Sequence, residues 1–257
     1  MHTSAKQPYT RTGASSPKDV RVRGRDLVND LMGAASFTQM LYFLTCGRMP
    51  TERQCAVLDA CLVTLMEHGL TPSAVITRLM TMSVPQEPQV AVASGLLAIG
   101  SVYAGTTEQC ATLLLQIEQR EKSGENLDAV LHDIVGRYRQ DKLVLPGFGH
   151  ATHKPDDPRS LKLFTIASEL GCADRYVRLV KHLGSEVDRQ YGRHITINAT
   201  GAIAALLLEI DIPVDAIRGY SVVSRAAGLV GHYLEELENP SGKAIWAAAR
   251  QAVPYQE

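Results

Sequence analysis

Residues able to do chemistry gather most densely at Pro146-Gly147-Phe148-Gly149-His150, with His153, Lys154 and Arg159 following within nine positions. Two glycines let a backbone pass close to a ligand and leave an imidazole at the end of a shaped turn. A histidine with three possible cations beside it suits a polyanion such as a nucleotide phosphate or a multi-carboxylate acid. The same residues also fit a tight turn with solvated charges. A metal pair at His150 and His153 is a third reading; no cysteine or further histidine has a matching spacing, so no metal is expected.

Arg225 and His232 form a second cluster. Seven residues apart on a helix, they point within about 20° of each other, with Gly228 between them. That arrangement leaves room for an anion beside the helix, or marks close helix packing, and the spacing fits both. His68-Gly69 follows an apolar segment and reads as a helix-end cap or as a catalytic group. The histidines at 2, 132, 182 and 194 have no motif around them, and no Walker loop, dinucleotide fingerprint, GxSxG elbow or HExxH is present.

These groups must be positioned by helices, because the apolar periodicity is helical almost throughout. Val20 to Arg25 reads as a short strand. Helices are expected after a Ser36 cap, from near Thr51, and from Thr71-Pro72. Residues 88–105 read as a helix buried in protein, and Glu108 to Arg120 as another. Lys122 to Asn126 is a polar break and linker candidate. Asn126 or Asp128 opens a helix to near Tyr138, and Asp157-Pro158 opens one with Leu161, Phe164, Ile166 and Ala167 as its buried stripe. A last long helix spans about Val214 to Glu238, with Val222, Ala226, Leu229, Val230, Tyr233 and Leu237 as its apolar stripe.

A chain of 257 residues with 45% apolar and 21% charged side chains reads as globular. A net charge of -1 offers no whole-chain attraction to nucleic acid or membrane. Residues 1–25 carry six basic side chains against one acidic, and read as a solvated tail. Five cysteines without a CxxC fit reduced cytosolic thiols. The start lacks the features of a secretory signal, and the uncharged run Val90 to Thr107 is too polar and glycine-rich to span lipid. A cytoplasmic location is expected.

Taken together, HGLTPSAVITR (68–78), GLLAIGSVYAGTTEQCATLL (95–114), LPGFGHATHKPDDPR (145–159), INATGAIAALL (197–207) and SRAAGLVGHYLEE (224–236) resemble, in this order, the citrate synthase superfamily. The likeness is strongest to its small citryl-CoA lyase members and to the lyase module of ATP citrate lyase, and it covers roughly residues 20–245. It implies an all-α fold with a large domain at 20–105 and 199–257, a small domain at 106–198, a cleft between them that closes on substrate, and a flexible tail at 1–19. It also implies a homodimer with shared active sites.

By the same resemblance, His68, His150, Arg159 and Arg225 hold a tricarboxylate or 2-oxo acid, with Asn198 beside them. Lys243 stands near the place of an arginine given by the partner subunit, where lysine loses the two-pronged grip. Leu145, Gly147, Phe148, Gly149, His153 and Lys154 become the coenzyme A contact region. The departures are informative too. Synthases carry an aspartate as carbon base where Asn198-Ala199-Thr200 stands, and threonine cannot act as a base near neutral pH. A synthase histidine before Gly-Gly falls at Tyr103-Ala104-Gly105; lyase members also lack it, which points to cleavage.

The resemblance thus implies a CoA-dependent carbon-carbon lyase that splits a carboxylated 3-hydroxyacyl-CoA into acyl-CoA and a 2-oxo acid, or the reverse. His150 would polarise or deprotonate the tertiary hydroxyl, and Thr200 would hold a water. A catalytically impaired binding or regulatory subunit, and a lyase for a different branched hydroxyacyl-CoA, are the alternatives.

Overall fold

A computed structural model describes residues 7–102 and 105–256. It forms two compact units, divided between Ala56 and Val57. The sequence elements Tyr103 and Ala104, where the synthase histidine would align, lie outside the described residues, as does His2.

In the first unit, strands β1 (Gly13–Ser15), β2 (Val20–Val22) and β3 (Arg25–Asp26) form a small antiparallel sheet in that order. The stretch read as a solvated tail therefore supplies a strand, with every side chain of β1 exposed. The single strand expected over 20–25 is instead a hairpin. Val22 pairs with Arg25 across Arg23 and Gly24, whose φ angles of 46° and 82° make the tight turn favoured between twisted strands. A wide helical turn at Leu27–Leu31 follows, then α1 (Phe37–Cys46), which opens with a reciprocal capping box between Ser36 and Gln39. Arg23 ties the sheet to α1 through a hydrogen bond from Nε to the Leu44 carbonyl at 2.8 Å.

The second unit begins within α2 (Glu52–Met66) and continues through α3 (Pro72–Ser83), α4 (Pro88–Leu97), α5 (Thr106–Lys122), α6 (Leu127–Gln140), α7 (Pro158–Glu169), α8 (Arg175–Tyr191), α9 (Ala199–Glu209), α10 (Val214–Glu238) and α11 (Gly242–Ala252). The all-α expectation holds. At its centre is α9, which carries no charge before Glu209 and is buried on every side from Gly201 to Leu208. A helix apolar all round can only be a core element, and α5, α7, α8 and α10 pack against it. Cys110, Leu113, Leu114 and Ile117 give α5 the spacing of a single buried stripe.

Three readings need correction. The helix expected over 88–105 stops at Leu97 and buries only Ala91 and Gly95; Val90, Leu97 and Val102 are exposed, because an apolar run without amphipathic spacing does not say which side is covered. On α7, Leu161 is exposed and Leu163 takes its place in the core. The apolar stripe drawn on α10 is also displaced: Val230 and Leu237 face outward, and the buried line runs through Ile217, Tyr220, Ser221, Ser224, Leu229, His232 and Glu236. Polar residues are buried there because α3 presents Arg78 to them. Its Nε donates to His232 Nδ1 at 3.0 Å, and its Nη1 reaches Ser241 Oγ at 3.2 Å. The polar break after Lys122 is a short turn between the paired helices α5 and α6.

Gly228 resolves to close packing. A Cβ at that position would lie 2.0 Å from the Met66 carbonyl oxygen, so α10 touches the end of α2 through bare backbone. Gly228→Ala should therefore cost about 2 kcal/mol as a small-to-large change in a filled site. Gly231→Ala, where a Cβ meets nothing within 4 Å, should instead gain up to about 1 kcal/mol of helix propensity. Urea unfolding of both variants measures the contrast, and equal midpoints would refute the packing assignment.

Candidate active site

The site is built on a backbone crossing. Gly147 has φ +87°, and a Cβ there would strike Cys110 Sγ at 2.6 Å and Gly201 Cα at 2.8 Å. The mirror contact is as tight, since a Cβ on Gly201 would lie 2.4 Å from the Gly147 carbonyl oxygen. The loop before His150 thus presses onto the start of α9 with no side chain between. It is stitched there by Asn198 N to Gly147 O at 3.0 Å, Gly149 N to Thr196 O at 2.8 Å, and Asn198 Nδ2 to Gly149 O at 2.9 Å.

Asp157 fixes the next element. Its carboxylate is fully buried, caps α7, and accepts Arg159 N, Nε and Nη2 at 3.0, 3.0 and 2.8 Å. Its Oδ2 also accepts Ala199 N at 3.0 Å, the first amide of α9. Burial alone would raise the Asp157 pKa, but the Arg159 and Ala199 donors outweigh it and hold the group below the usual carboxylate value. Arg159 is held as a rigid fork with its remaining donors toward solvent-accessible space.

That space is a cavity of about 250 Å³ lined by His68, His150, Arg159, Arg225, Asn198 and Thr200, with Thr64, Leu65, Thr71, Thr106, Thr107 and Ala199 completing the wall. His150 and Arg159, from one loop and the helix start that follows it, therefore share one environment with the distant Arg225. Arg159 Nη2 lies 3.3 Å from His150 Nε2, and Nη1 lies 3.4 Å from His68 Nδ1. His68 is carried beyond the end of α2, where the Glu67 carboxylate accepts its backbone N–H at 2.8 Å.

The hydrogen bonds choose the tautomer of His150. Its Nδ1 accepts the backbone N–H groups of Thr152 and His153, each at 3.0 Å, which places the proton on Nε2. Nε2–H and the Arg159 guanidinium are then two donors side by side, and an acceptor from a ligand satisfies both. Burial, followed by the positive charges of His153 and Arg159, holds the His150 pKa below the ordinary imidazole value. Burial and Arg159 do the same to His68. Among the described residues no Asp or Glu lines this cavity, while α5 and α9 present their N-terminal turns to it. Arg159, Arg225 and the two helix starts on its wall suit a multi-carboxylate anion.

Thr200 Oγ1 donates to Asn198 Oδ1 at 2.7 Å and receives a hydrogen bond from Thr106 Oγ1 at 3.3 Å. No carboxylate among the described residues bonds to it. The pair Thr106 and Thr107 is missed by reading motifs; its signal is only that it opens a helix directly after Gly105.

Fold also supplies what spacing could not: a third histidine. Ligand nitrogens of His68, His150 and His153 lie within 4.8 Å of one another, and the His150 and His153 rings are 4.3 Å apart. A cation there would meet the Arg159 guanidinium against two of the three nitrogens, so the trio fits an anion better.

Residues expected at coenzyme A separate into two groups. Leu145 and Phe148 are 5% exposed and Gly147 is buried, so these hold the loop to the core. Gly149 and Lys154, together with His150, line a second cavity of about 310 Å³, where Arg193 and His194 join them, while His153 lies with its ring 4.3 Å from that of His150 and lines neither cavity. Arg193 and His194 escape the sequence reading because nothing around them forms a motif. Hydrogen bonds to Asp188 and Asp156 raise the His194 pKa. Lys243 lies exposed at the start of α11 and lines neither cavity. His232, grouped with Arg225 by angle, is excluded as well: two turns separate them by about 10 Å along the axis, and His232 is buried against Arg78.

Comparison with known proteins agrees with this geometry. Residues 19–247 match the family model described as citrate synthase, C-terminal domain. The chain is 29% identical over 215 residues to a citrate synthase of Synechocystis, covering 81% of this chain and 51% of the relative. It spans about half the length of the curated relatives it matches. Among solved structures, citryl-CoA lyase from Hydrogenobacter thermophilus superposes with a TM-score of 0.85 at 31% identity, covering 97% of this chain and 94% of that one. ATP citrate lyase from Methanothrix soehngenii, solved with citrate and coenzyme A, shares the fold at a TM-score of 0.76 and 16% identity, over all of this chain and 42% of that one. With a family model spanning nearly its whole length and the glycine loop, Arg159 and Arg225 converging on one anion pocket, this chain belongs to the citrate synthase family.

Proposed function

We propose that the chain is a CoA-dependent carbon-carbon lyase of the citryl-CoA lyase type. The observation that carries this reading is a pocket in which His150 Nε2–H, Arg159 and His68 converge and which no Asp or Glu lines among the described residues. Likeness to a citryl-CoA lyase over nearly the full length of both chains supports it.

In cleavage, the bond between the hydroxyl-bearing carbon and the thioester α-carbon breaks. Its electron pair passes to the α-carbon as a thioester enolate, the hydroxyl loses its proton to water and becomes the carbonyl of the 2-oxo acid, and the enolate carbon takes a proton from water. His150 acts as a neutral donor that polarises the oxygen, since its other nitrogen is occupied by two backbone amides. Arg159 and Arg225 neutralise carboxylates, and the acceptor lone pair left on Thr200 Oγ1 orients a water. This is catalysis by placement and charge. Gly149, Lys154 and Arg193 form the basic wall against which the CoA phosphates would lie. Pairing into a homodimer would bring Lys243 to a neighbouring site, and a cytoplasmic location fits the thiol content. No helix among the described residues is long and apolar enough to cross a membrane.

One observation favours a second reading, a binding or regulatory subunit: among the described residues no carboxylate lines the pocket where the resemblance places an aspartate. Incubating the purified chain with citryl-CoA decides between them. Oxaloacetate and acetyl-CoA should appear in equal amounts, and Arg159→Ala should lower kcat/KM by about 10²-fold or more. Intact CoA binding without product at high enzyme concentration would establish the binding subunit instead.

Thr200→Asp should restore a carbon base. We expect exchange of the acetyl-CoA methyl protons with deuterium, followed by NMR, to rise by about 10²- to 10⁴-fold. Unmodified chain that already exchanges as fast as an aspartate-bearing relative would contradict the assignment.

The pH dependence has a definite sign. Burial and the neighbouring positive charge of Arg159 push the pKa of His68 and His150 below the ordinary imidazole value, which favours the neutral rings near pH 7. A bound dianion favours the protonated imidazole, so oxaloacetate affinity should stay flat above pH 7 and rise as pH falls toward 5. His68→Gln should abolish most of that rise, because His150 Nδ1 is closed to protons by the Thr152 and His153 amides. Calorimetric titration across the range measures it, and an unchanged slope in the variant would refute the assignment.

A further inference from the structure

A line of polar side chains runs through the interior behind the anion pocket and ends on the loop that carries His68. It starts at the buried Glu236 of α10, whose carboxylate accepts Ser241 N at 2.9 Å, Ser241 Oγ at 2.6 Å and Gly242 N at 2.7 Å. Burial alone would raise the Glu236 pKa, but the donors of Ser241, Gly242 and Arg78 hold it below the usual carboxylate value. The buried Arg78 of α3 carries the line onward. Its Nη1 lies 3.5 Å from Glu236 Oε2, and its Nε donates to His232 Nδ1 at 3.0 Å.

A guanidinium that donates to Nδ1 leaves the ring proton of His232 on Nε2. That nitrogen is buried, no other acceptor answers it among the described residues, and Glu67 Oε2 stands 2.9 Å away. A buried N–H without an acceptor is costly, so this contact favours one place for the Glu67 carboxylate. Gly228, one turn before His232, leaves room for it, since a Cβ there would press to 3.3 Å from Glu67 Oε2. Glu67 in turn holds the loop: its Oε1 accepts the backbone N–H of His68 at 2.8 Å and that of Gly69. Neither His232 nor Glu67 lines the anion pocket, yet they reach the backbone of a residue whose ring lies 3.4 Å from Arg159.

We propose that His232 and Glu67 are positioning residues of this site: His232, set by Arg78, anchors the Glu67 carboxylate, and Glu67 holds His68 beside Arg159 so that a 2-oxo acid meets both at once. The inference rests on the reading of that pocket as the oxo-acid site, and adds to it residues that touch no substrate. Side chains of a binding site keep their geometry only when a supporting shell fixes them.

Two substitutions separate positioning from stability. In His232→Asn the amide oxygen takes the place of Nδ1 and keeps Arg78 paired, but nothing reaches Glu67. In His232→Gln the amide N–H takes the place of Nε2–H and reaches Glu67, while Arg78 Nε loses its acceptor. Thermal unfolding should therefore rank the Gln variant no higher than the Asn variant. Oxaloacetate affinity, by titration calorimetry on the full chain, should run the other way: a fall of about tenfold in His232→Asn, as for one lost hydrogen bond, and recovery of most of that loss in His232→Gln. NMR titration of the His68 ring in the ligand-free chain reports its position. Burial and Arg159, with His150, His153 and Arg225 behind them, hold that pKa below the ordinary imidazole value, so release of the loop should raise it in His232→Asn and not in His232→Gln. Glu67→Ala, which truncates a half-exposed side chain, should act as His232→Asn does and tests the same tether without a change in the core. A His68 titration unmoved in both His232→Asn and Glu67→Ala would overturn the proposal whatever the affinities. Affinity that simply follows thermal stability, with Arg159→Ala still abolishing binding, would overturn it and leave the oxo-acid site standing. Failure of the unmodified chain to bind oxaloacetate would remove the oxo-acid reading and the proposal together.

Discussion

The buried carboxylate of Asp157 is the interaction on which the site depends. It caps α7 through the Arg159 backbone N–H, grips the Arg159 guanidinium through two donors and takes the first amide of α9. One residue thereby sets the direction of a cation on the pocket wall and the distance between two helices. A buried charge is tolerated only when its lone pairs are all answered, and here the groups that answer it are the ones the pocket needs fixed. Arg159 in turn approaches both His68 and His150, so the position of three functional side chains descends from one desolvated carboxylate.

Glycine contacts complete the frame. Gly147 against Gly201 lets the loop before His150 rest directly on α9, and Gly228 against Met66 lets α10 rest on the end of α2, two residues from His68. Each contact replaces side-chain packing by backbone, which leaves no rotamers through which the position could relax. The two imidazoles therefore hang from rigid supports although both sit in irregular segments. Preorganisation of that kind serves a reaction whose charge must be met by donors already in place.

The electrostatic character of the pocket is consistent across its parts. Two arginines, two histidines held neutral and the starts of two helices face one space, and Thr200 adds only a hydroxyl already committed to Asn198. Such a lining suits carboxylates and a developing oxyanion, and among the described residues no carboxylate lines it as a base for a carbon acid. Cleavage asks for the former, and condensation asks for the latter as well.

Amino-acid order alone determined most of the helices and the loop at their centre. The caps at Ser36, Asn126 and Asp157 are local hydrogen bonds between neighbours in the chain, and the stripe of α5 is a local periodicity, so both are legible without a structure. His150, Arg159 and Arg225 were legible as candidates from residue type and from resemblance. What only the tertiary structure decided is how separate segments meet. His68 joins His150 and His153, His232 turns away to Arg78, Gly228 proves to be a contact point, and Ser221 Oγ and Arg225 Nη1 are buried without a hydrogen-bond partner among the described residues. Each of these is a distance between residues far apart in sequence, and no local propensity encodes such a distance. It is set by which faces of α2, α3, α9 and α10 the shared core brings together.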